Sequence, residues 1–206
     1  MPSKPAHNPR VPSHDPRRER RRRRRRPALV TALLTITATL PSSAVPASAV
    51  AACRYQYVVP SPRNVVKVSA ATRCLINRER TRRGRAALVR SGELRKAARR
   101  HARRMVRRRF FAHVSPDGST LLSRVTGGTS YVSDTRGFAL AENLNWGVSQ
   151  RATPRQIVRG WMRSSAHRRN VLDRRYRHIG IGVVPGAPTP VRGRAATYTT
   201  VFGKRF

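Results

Sequence analysis

Acidic side chains are scarce in this chain, with eight Asp and Glu against 45 Lys and Arg in 206 residues. Any chemistry that needs a carboxylate must therefore draw on very few positions. Only six acids follow residue 26: Glu79, Glu93, Asp117, Asp134, Glu142 and Asp173. Cysteine is limited to Cys53 and Cys74, too few for a zinc finger. The chain holds no HExxH pair, no phosphate-binding glycine loop and no nucleophile elbow, so the commonest zinc-protease, nucleotide and serine-hydrolase signatures are missing. Long apolar runs are missing too. The longest, Ala28–Leu40, is 13 residues and is followed by Pro41, whereas a membrane-spanning helix needs about 20.

What is abundant is arginine. Residues 1–26 hold ten Arg, one Lys and two acids, ending in the unbroken run Arg20–Arg26. A basic head, a short apolar middle and the small-residue exit Ala47-Ser48-Ala49 have the layout of a secretory signal peptide, so we expect an exported protein with a leader over 1–49. An extended segment over 50–66 and one folded domain over 67–206 would follow. Outside a reducing cytoplasm the two cysteines read as a Cys53–Cys74 disulfide tying the start of the mature chain to the first helix. The competing reading is lipid anchoring at Cys53 after Val50-Ala51-Ala52. It suffers from the 12 residues, two of them prolines, between the apolar run and that cysteine.

Eleven of the cations and two of the acids precede Pro27, which leaves a net charge of +28 on residues 27–206. Such a charge binds polyanions, whether teichoic acids, anionic lipid headgroups or nucleic acid, through counterion release. Arginine outnumbers lysine 41 to 4, a ratio that a GC-rich coding bias also produces. The charges are not interleaved with stacking aromatics, which argues against specific nucleic-acid recognition.

Apolar spacing predicts a helix over Val65–Arg83, ended by Gly84, and a second from Ser91 with Leu94, Ala97, Ala98, His101 and Met105 on one face. His101 lies on that buried stripe and reads as a packed core residue outside any site. Phe110-Phe111-Ala112 leads to His113 beside the turn Pro116-Asp117-Gly118, a helix–loop junction where functional side chains often sit. A histidine there also serves as a stabilising cation at a helix C-terminus. A short amphipathic segment spans 120–125 and a polar loop 126–137. Glu142, placed between Leu140 and Leu144, is the acid whose neighbours threaten it with burial, and a buried carboxylate is tolerated when paired, metal-bound or hydrogen-bonded.

The stretch Thr153–Leu172, TPRQIVRGWMRSSAHRRNVL, organises the rest. Thr153 is the expected N-cap, Pro154 the first helical residue and Gln156 the partner in a capping box. Ile157, Val158 and Trp161 form a docking face, and the helix is expected to end near Ser164 and hold His167 in a fixed place. Residues 178–184 and 195–202 read as two strands, which with 139–144 would make a small antiparallel sheet covered by helices.

Taken together, CLINRER at 74–80, FFAHVSPDG at 110–118, AENLNWG at 141–147, GWMRSSAHRRNVL at 160–172 and the closing YTTVFG at 198–203 resemble the bacterial branch of the CAP superfamily of secreted SCP-domain proteins. The resemblance covers roughly Cys74 to Phe206. It implies an α+β fold, an α-β-α sandwich, whose cleft is lined by two histidines and acids: His113, Glu142 and His167, with Ser115, Asn143 and Ser164 around them. The further glutamate that animal and plant members carry three residues after a tryptophan is here Ser164. Two histidines and a carboxylate could hold Zn²⁺ or another divalent metal with a position left for water. The same residues also make a hydrogen-bonded knot with no metal. Three functions stay open at this point. One is an extracellular binding module for a wall polymer, lipid or protein; the others are a metal-dependent hydrolase and a cationic polyanion- or membrane-surface-binding protein.

Overall fold

The computed structural model describes residues 52–206, so the expected leader lies outside the described residues. The elements run α1 (Val65–Thr81), β1 (Val89–Arg90), α2 (Gly92–Arg108), α3 (Leu121–Thr126), β2 (Phe138–Val148), a 3-10 turn (Ser149–Ala152), α4 (Pro154–Arg163), α5 (Ser165–Leu172), β3 (His178–Pro185) and β4 (Ala195–Arg205). The sheet has the order β1-β3-β4-β2. Its three long strands are antiparallel, as expected. The two-residue β1, which pairs parallel to the start of β3, was not anticipated: Val89 and Arg90 are too short a run for a period-2 pattern to register.

The two faces of the sheet are separated by strand alternation. Ile179, Ile181 and Val183 of β3 and Ala196, Tyr198 and Phe202 of β4 join Val68, Leu75 and Ile76 of α1 and Ile157, Val158 and Trp161 of α4 in one core. On the opposite face Val201 packs with Leu94, Ala97 and Ala98 of α2 and Val125 of α3. The result is the α-β-α sandwich, with α2 and α3 on one side and α1, α4 and α5 on the other. The glycines of β3 set how closely α2 approaches. A Cβ added at Gly180 would lie 2.1 Å from the backbone of Leu94, and one at Gly182 would lie 2.4 Å from that of Arg99. Alternating Ile and Gly thus serves two partners, bulk for α1 and contact with α2.

Cys53 and Cys74 are bonded, with Cα atoms 5.7 Å apart. The sulfur that lipid anchoring would require is therefore engaged, and the described N-terminal segment is fixed to α1. Closing a loop of this length stabilises the fold by about 3 kcal/mol through the unfolded chain. Arg80, fully buried near the end of α1, donates to the carbonyls of Ala86 at 2.8 Å, Val171 at 2.7 Å and Asp173 at 3.0 Å. It satisfies the carbonyl end of α5 and ties that helix to α1. Burial, with Arg177 nearby, lowers its pKa.

Two details of the helix starts differ from expectation. Thr153 occupies the N-cap of α4 and Pro154 follows it, but no side chain caps the helix. Thr153 Oγ1 donates instead to Gln150 O at 2.8 Å, inside the preceding 3-10 turn, so the capping box with Gln156 does not form. The chain also restarts after Ser164. His167 therefore stands in the first turn of a separate helix, α5, whose N-cap is Ser164.

Gly182→Ala is expected to destabilise the fold by about 1–3 kcal/mol through overpacking against α2, while the exposed Gly92→Ala, whose Cβ meets nothing within 4 Å, does not. Thermal melts of the two variants check this, and equal midpoints would disprove the packing argument.

Candidate functional site

Glu142 sits mid-way along β2 with its side chain 2% exposed. Both carboxylate oxygens accept from Arg124 Nη2 of α3, each at 3.0 Å. The other terminal nitrogen, Arg124 Nη1, donates to the carbonyls of His113 at 3.0 Å and Ser119 at 2.8 Å. One arginine thus neutralises the buried acid and pins the loop that carries His113. Arg124 is reached because the capping box of Thr120 and Ser123 starts α3 one turn earlier and aims its inner face at the sheet.

His113 Nδ1 donates to Glu142 Oε1 at 2.9 Å. Its ring is otherwise half exposed, 56% by side chain, so the carboxylate fixes the tautomer and turns Nε2 outward. His113 does not serve as the C-cap of α2, a place taken by Arg109 in the left-handed region. His167 is set from two directions. Asn143, next to Glu142 on β2, donates to His167 O at 3.0 Å and accepts from Asn170 at 2.8 Å. Ser164 Oγ accepts from His167 N at 3.5 Å. The pKa of His167 is lowered by burial and further by the charge of His113. Ser115 is buried behind the His113 loop, with its Oγ lacking a hydrogen-bond partner.

Two members of the cluster were not foreseen. His101, expected to be core only, is fully buried yet its Nε2 lies 3.9 Å from Glu142 Oε1. Nε2 donates to Ala112 O at 3.0 Å, while Nδ1 has no partner. Arg124 is the other. Its position beside Val125 in an amphipathic segment was the available signal, submerged among 41 arginines.

This geometry bears on the divalent metal. Among the described residues no three His, Cys, Asp or Glu are grouped to hold an ion. The reason is visible at Glu142, whose oxygens are taken by Arg124 and His113. The carboxylate stands behind His113 as an orienting anion, and both its oxygens are engaged by a guanidinium. A His113–Glu142–His167 tripod does not fit this arrangement.

Residues 74–201 match the sequence model of the Cysteine-rich secretory protein family, CAP. The chain belongs to the CAP family. It is 34% identical over 111 residues to the uncharacterized protein YkwD of Bacillus subtilis, covering 53% of this chain and 40% of that one. The fold is similar to an extracellular SCP-domain protein of Bacillus anthracis, with TM-score 0.52 and 22% identity, covering 69% of this chain and 43% of that one. It is also similar to an outer surface protein of Borrelia burgdorferi, with TM-score 0.56 and 18% identity, covering 72% and 98%. The chain thus spans less than half the length of the Bacillus proteins it matches. These likenesses establish a CAP domain of bacterial type.

Removing Arg124 leaves a buried, unpaired carboxylate, so Arg124→Met is expected to cost about 3–5 kcal/mol. Adding Glu142→Gln should recover part of the loss in a double-mutant cycle of melting midpoints, and strictly additive losses would contradict the pairing. His101 gives a pH signature. Burial lowers its pKa from 6.5 to about 4, against the opposing pull of Glu142 and with help from Arg124 and His113. The unfolded chain then takes up this proton first, so stability is intact above pH about 6.5 and falls as the pH drops toward about 4. Denaturation at pH 7 and pH 4.5 of the wild type and His101→Gln should show a smaller acid loss in the variant. An equal loss in both would exclude His101 as a source.

Proposed function

We propose that this CAP protein is an extracellular binding module of the bacterial surface, with the cleft at His113 and His167 as its recognition site, and that it is not an enzyme. The observation that carries the reading is the saturation of Glu142. A carboxylate that accepts from Arg124 through both oxygens and from His113 through one is neither a free general base nor a metal ligand. What the cleft offers a partner is an imidazole fixed by that carboxylate, a second imidazole whose main chain is held by Asn143 and Ser164, and an apolar rim. Phe111 and Val114, on the His113 loop, are 44% and 52% exposed. Oriented donors and acceptors with an apolar margin are the ordinary make-up of a recognition site.

Export is supported by the disulfide, which belongs to oxidising compartments. It is also supported by the matched proteins, which are described as extracellular or outer surface proteins. No helix among the described residues is long and apolar enough to cross a membrane. The partner is a wall polymer, a lipid or a surface protein, and the experiment has to offer each separately. The full chain and His113→Ala/His167→Ala are mixed with peptidoglycan sacculi stripped of anionic polymer, with phosphatidylcholine vesicles and with a purified surface-protein fraction. Salt is kept at about 0.5 M, where surface charge is screened within about 4 Å. Retention of the wild type on one of the three, at least tenfold reduced in the variant, is the expected result. Equal retention of both proteins on every probe, or of neither, refutes the cleft as a binding site.

The metal-dependent hydrolase reading makes a different demand. A calorimetric zinc titration at pH 7.5 should show no one-to-one site that depends on the histidines. Stoichiometric binding lost in His113→Ala/His167→Ala would overturn the non-enzymatic reading and return the cleft to metal chemistry.

A further inference from the structure

Across the outer face of α2 the structure lays three depressions end to end. The first, of about 200 Å³, lies between α1 and α2 at the edge of β3; Arg73, Arg90, Arg95 and Arg99 surround a floor that includes Ile181 and Val183. A second, of about 220 Å³, shares Arg95 and Arg99 with it and adds Lys96, Arg100 and Arg103. The third, of about 280 Å³, shares Arg100 and Gly128 with the second and adds Arg104, Arg124 and Ser119. Shared walls make these one track, running from the β3 edge over α2 to the back of the Glu142 site.

The charge of the track is nearly uncompensated. Its only lining acid is Asp117, in the third depression, and Arg104 holds that carboxylate at 3.0 Å. Glu93, at the start of α2, is paired with Lys96 at 2.8 Å. Arg95, Arg99 and Arg103 follow at four-residue steps on one helix face, which spaces their Cα atoms by about 6 Å. Nε of Arg95 is buried in the wall with no hydrogen-bond partner. Guanidinium groups in such a row present forks that suit phosphate oxygens.

The lining of the track decides among polyanions. The aromatic ring that lines the depressions is His101, in the third, and it is fully buried, so nucleic-acid bases have no exposed platform to stack on. A bilayer needs apolar side chains at the contact. Yet of the apolar residues of α2, Leu94, Ala97, Ala98, Ala102 and Met105 are turned into the core, Val106 is half-buried and lines none of the depressions, and the track is concave. A flexible chain of phosphates joined by small polyols fits both the cations and the narrowness, its carbon backbone passing over Ile181 and Val183.

We infer that the α2 track is a binding site for a linear poly(polyol phosphate), separate from the His113–His167 cleft. It adds a second attachment to the proposed surface role and stands whether or not that role does, because its key residues take no part in the cleft. The test is binding of the full chain to a poly(glycerol phosphate) of about ten units by fluorescence anisotropy, over a series of salt concentrations. Two triple variants are compared with the wild type. Arg95→Gln/Arg99→Gln/Arg103→Gln removes the row; Arg159→Gln/Arg163→Gln/Arg174→Gln removes the same charge from exposed positions elsewhere. Gln preserves helix propensity, and melting midpoints confirm that both variants fold.

The row variant should bind at least tenfold more weakly at about 0.1 M salt, with the slope of log K against log salt reduced by about 2 to 3, and the control variant should change far less. Equal losses in the two variants would mean that net charge alone binds the polymer, and would overturn the site. Two further arms use an oligothymidylate with the same number of phosphates and phosphatidylglycerol vesicles. If either binds clearly tighter than the polymer, with the same dependence on the row, the assigned occupant is wrong.

Discussion

A carboxylate cannot be removed from water without a partner, and at Glu142 that constraint shapes everything around it. Moving an ion into the interior costs several kcal/mol even after relaxation, and the attraction to a counter-ion offsets this only when the geometry is good and the remaining hydrogen-bond capacity is filled. Arg124 meets the first condition and most of the second, its buried Nε being left without a hydrogen-bond partner. Its Nη2 reaches the two oxygens of Glu142 at 3.0 Å each, and its other terminal nitrogen closes on the carbonyls of His113 and Ser119. A pair so arranged fixes three things together: the inner face of α3, the middle of β2 and the loop beyond α2. The position and tautomer of His113 follow from it.

Much of this could be read from residues alone. Glu142 stood out because its apolar neighbours left it no solvated alternative, and His113, Asn143, Ser164 and His167 came with the family resemblance. The element order and the strands at 178–184 and 195–202 followed from alternation. What was hidden had physical reasons. Arg124 was one arginine among 41, and nothing in its immediate neighbours distinguishes a guanidinium facing an acid 18 residues later from one facing water. His101 was correctly placed in the interior, but its helical stripe could not reveal that the interior at that point contains Glu142. The break at Ser164 was legible as weak helix propensity. That the chain would restart at once, using Ser164 as a cap, depends on α5 being held by Asn143 on one side and by Arg80 on the other.

Arg80 and Arg124 show that the arginines of this chain fall into two physical classes. These two are buried and bonded to main-chain carbonyls; Arg124 is also bonded to an acid. They act as rigid multi-pronged staples, a task for which the planar guanidinium is suited and an ammonium is not. Among the described residues most of the other arginines are exposed. A coding bias toward arginine would account for the number of the second class. It does not explain why the row on α2 faces concave ground with almost no acid, because that arrangement is a property of the fold and not of composition.

The interior arginine also supports the chemistry proposed for the cleft. If Glu142 had no counter-charge, burial would leave it seeking a cation or a proton, and two adjacent imidazoles could supply a metal ion with ligands. With Arg124 in place the local charge is already balanced, and a divalent ion arriving at the same carboxylate would have to displace a bidentate, desolvated contact. The carboxylate then does its work at one remove: it holds the Nδ1 proton of His113 and so leaves Nε2 to face outward as a hydrogen-bonding atom of defined direction. His167 is positioned by amide and hydroxyl groups instead, and burial and its neighbour disfavour its protonation. An imidazole oriented by Glu142 and a second one on a main chain held by Asn143 and Ser164, beside exposed Phe111 and Val114, are the features on which the proposed recognition of a partner's shape and polarity rests.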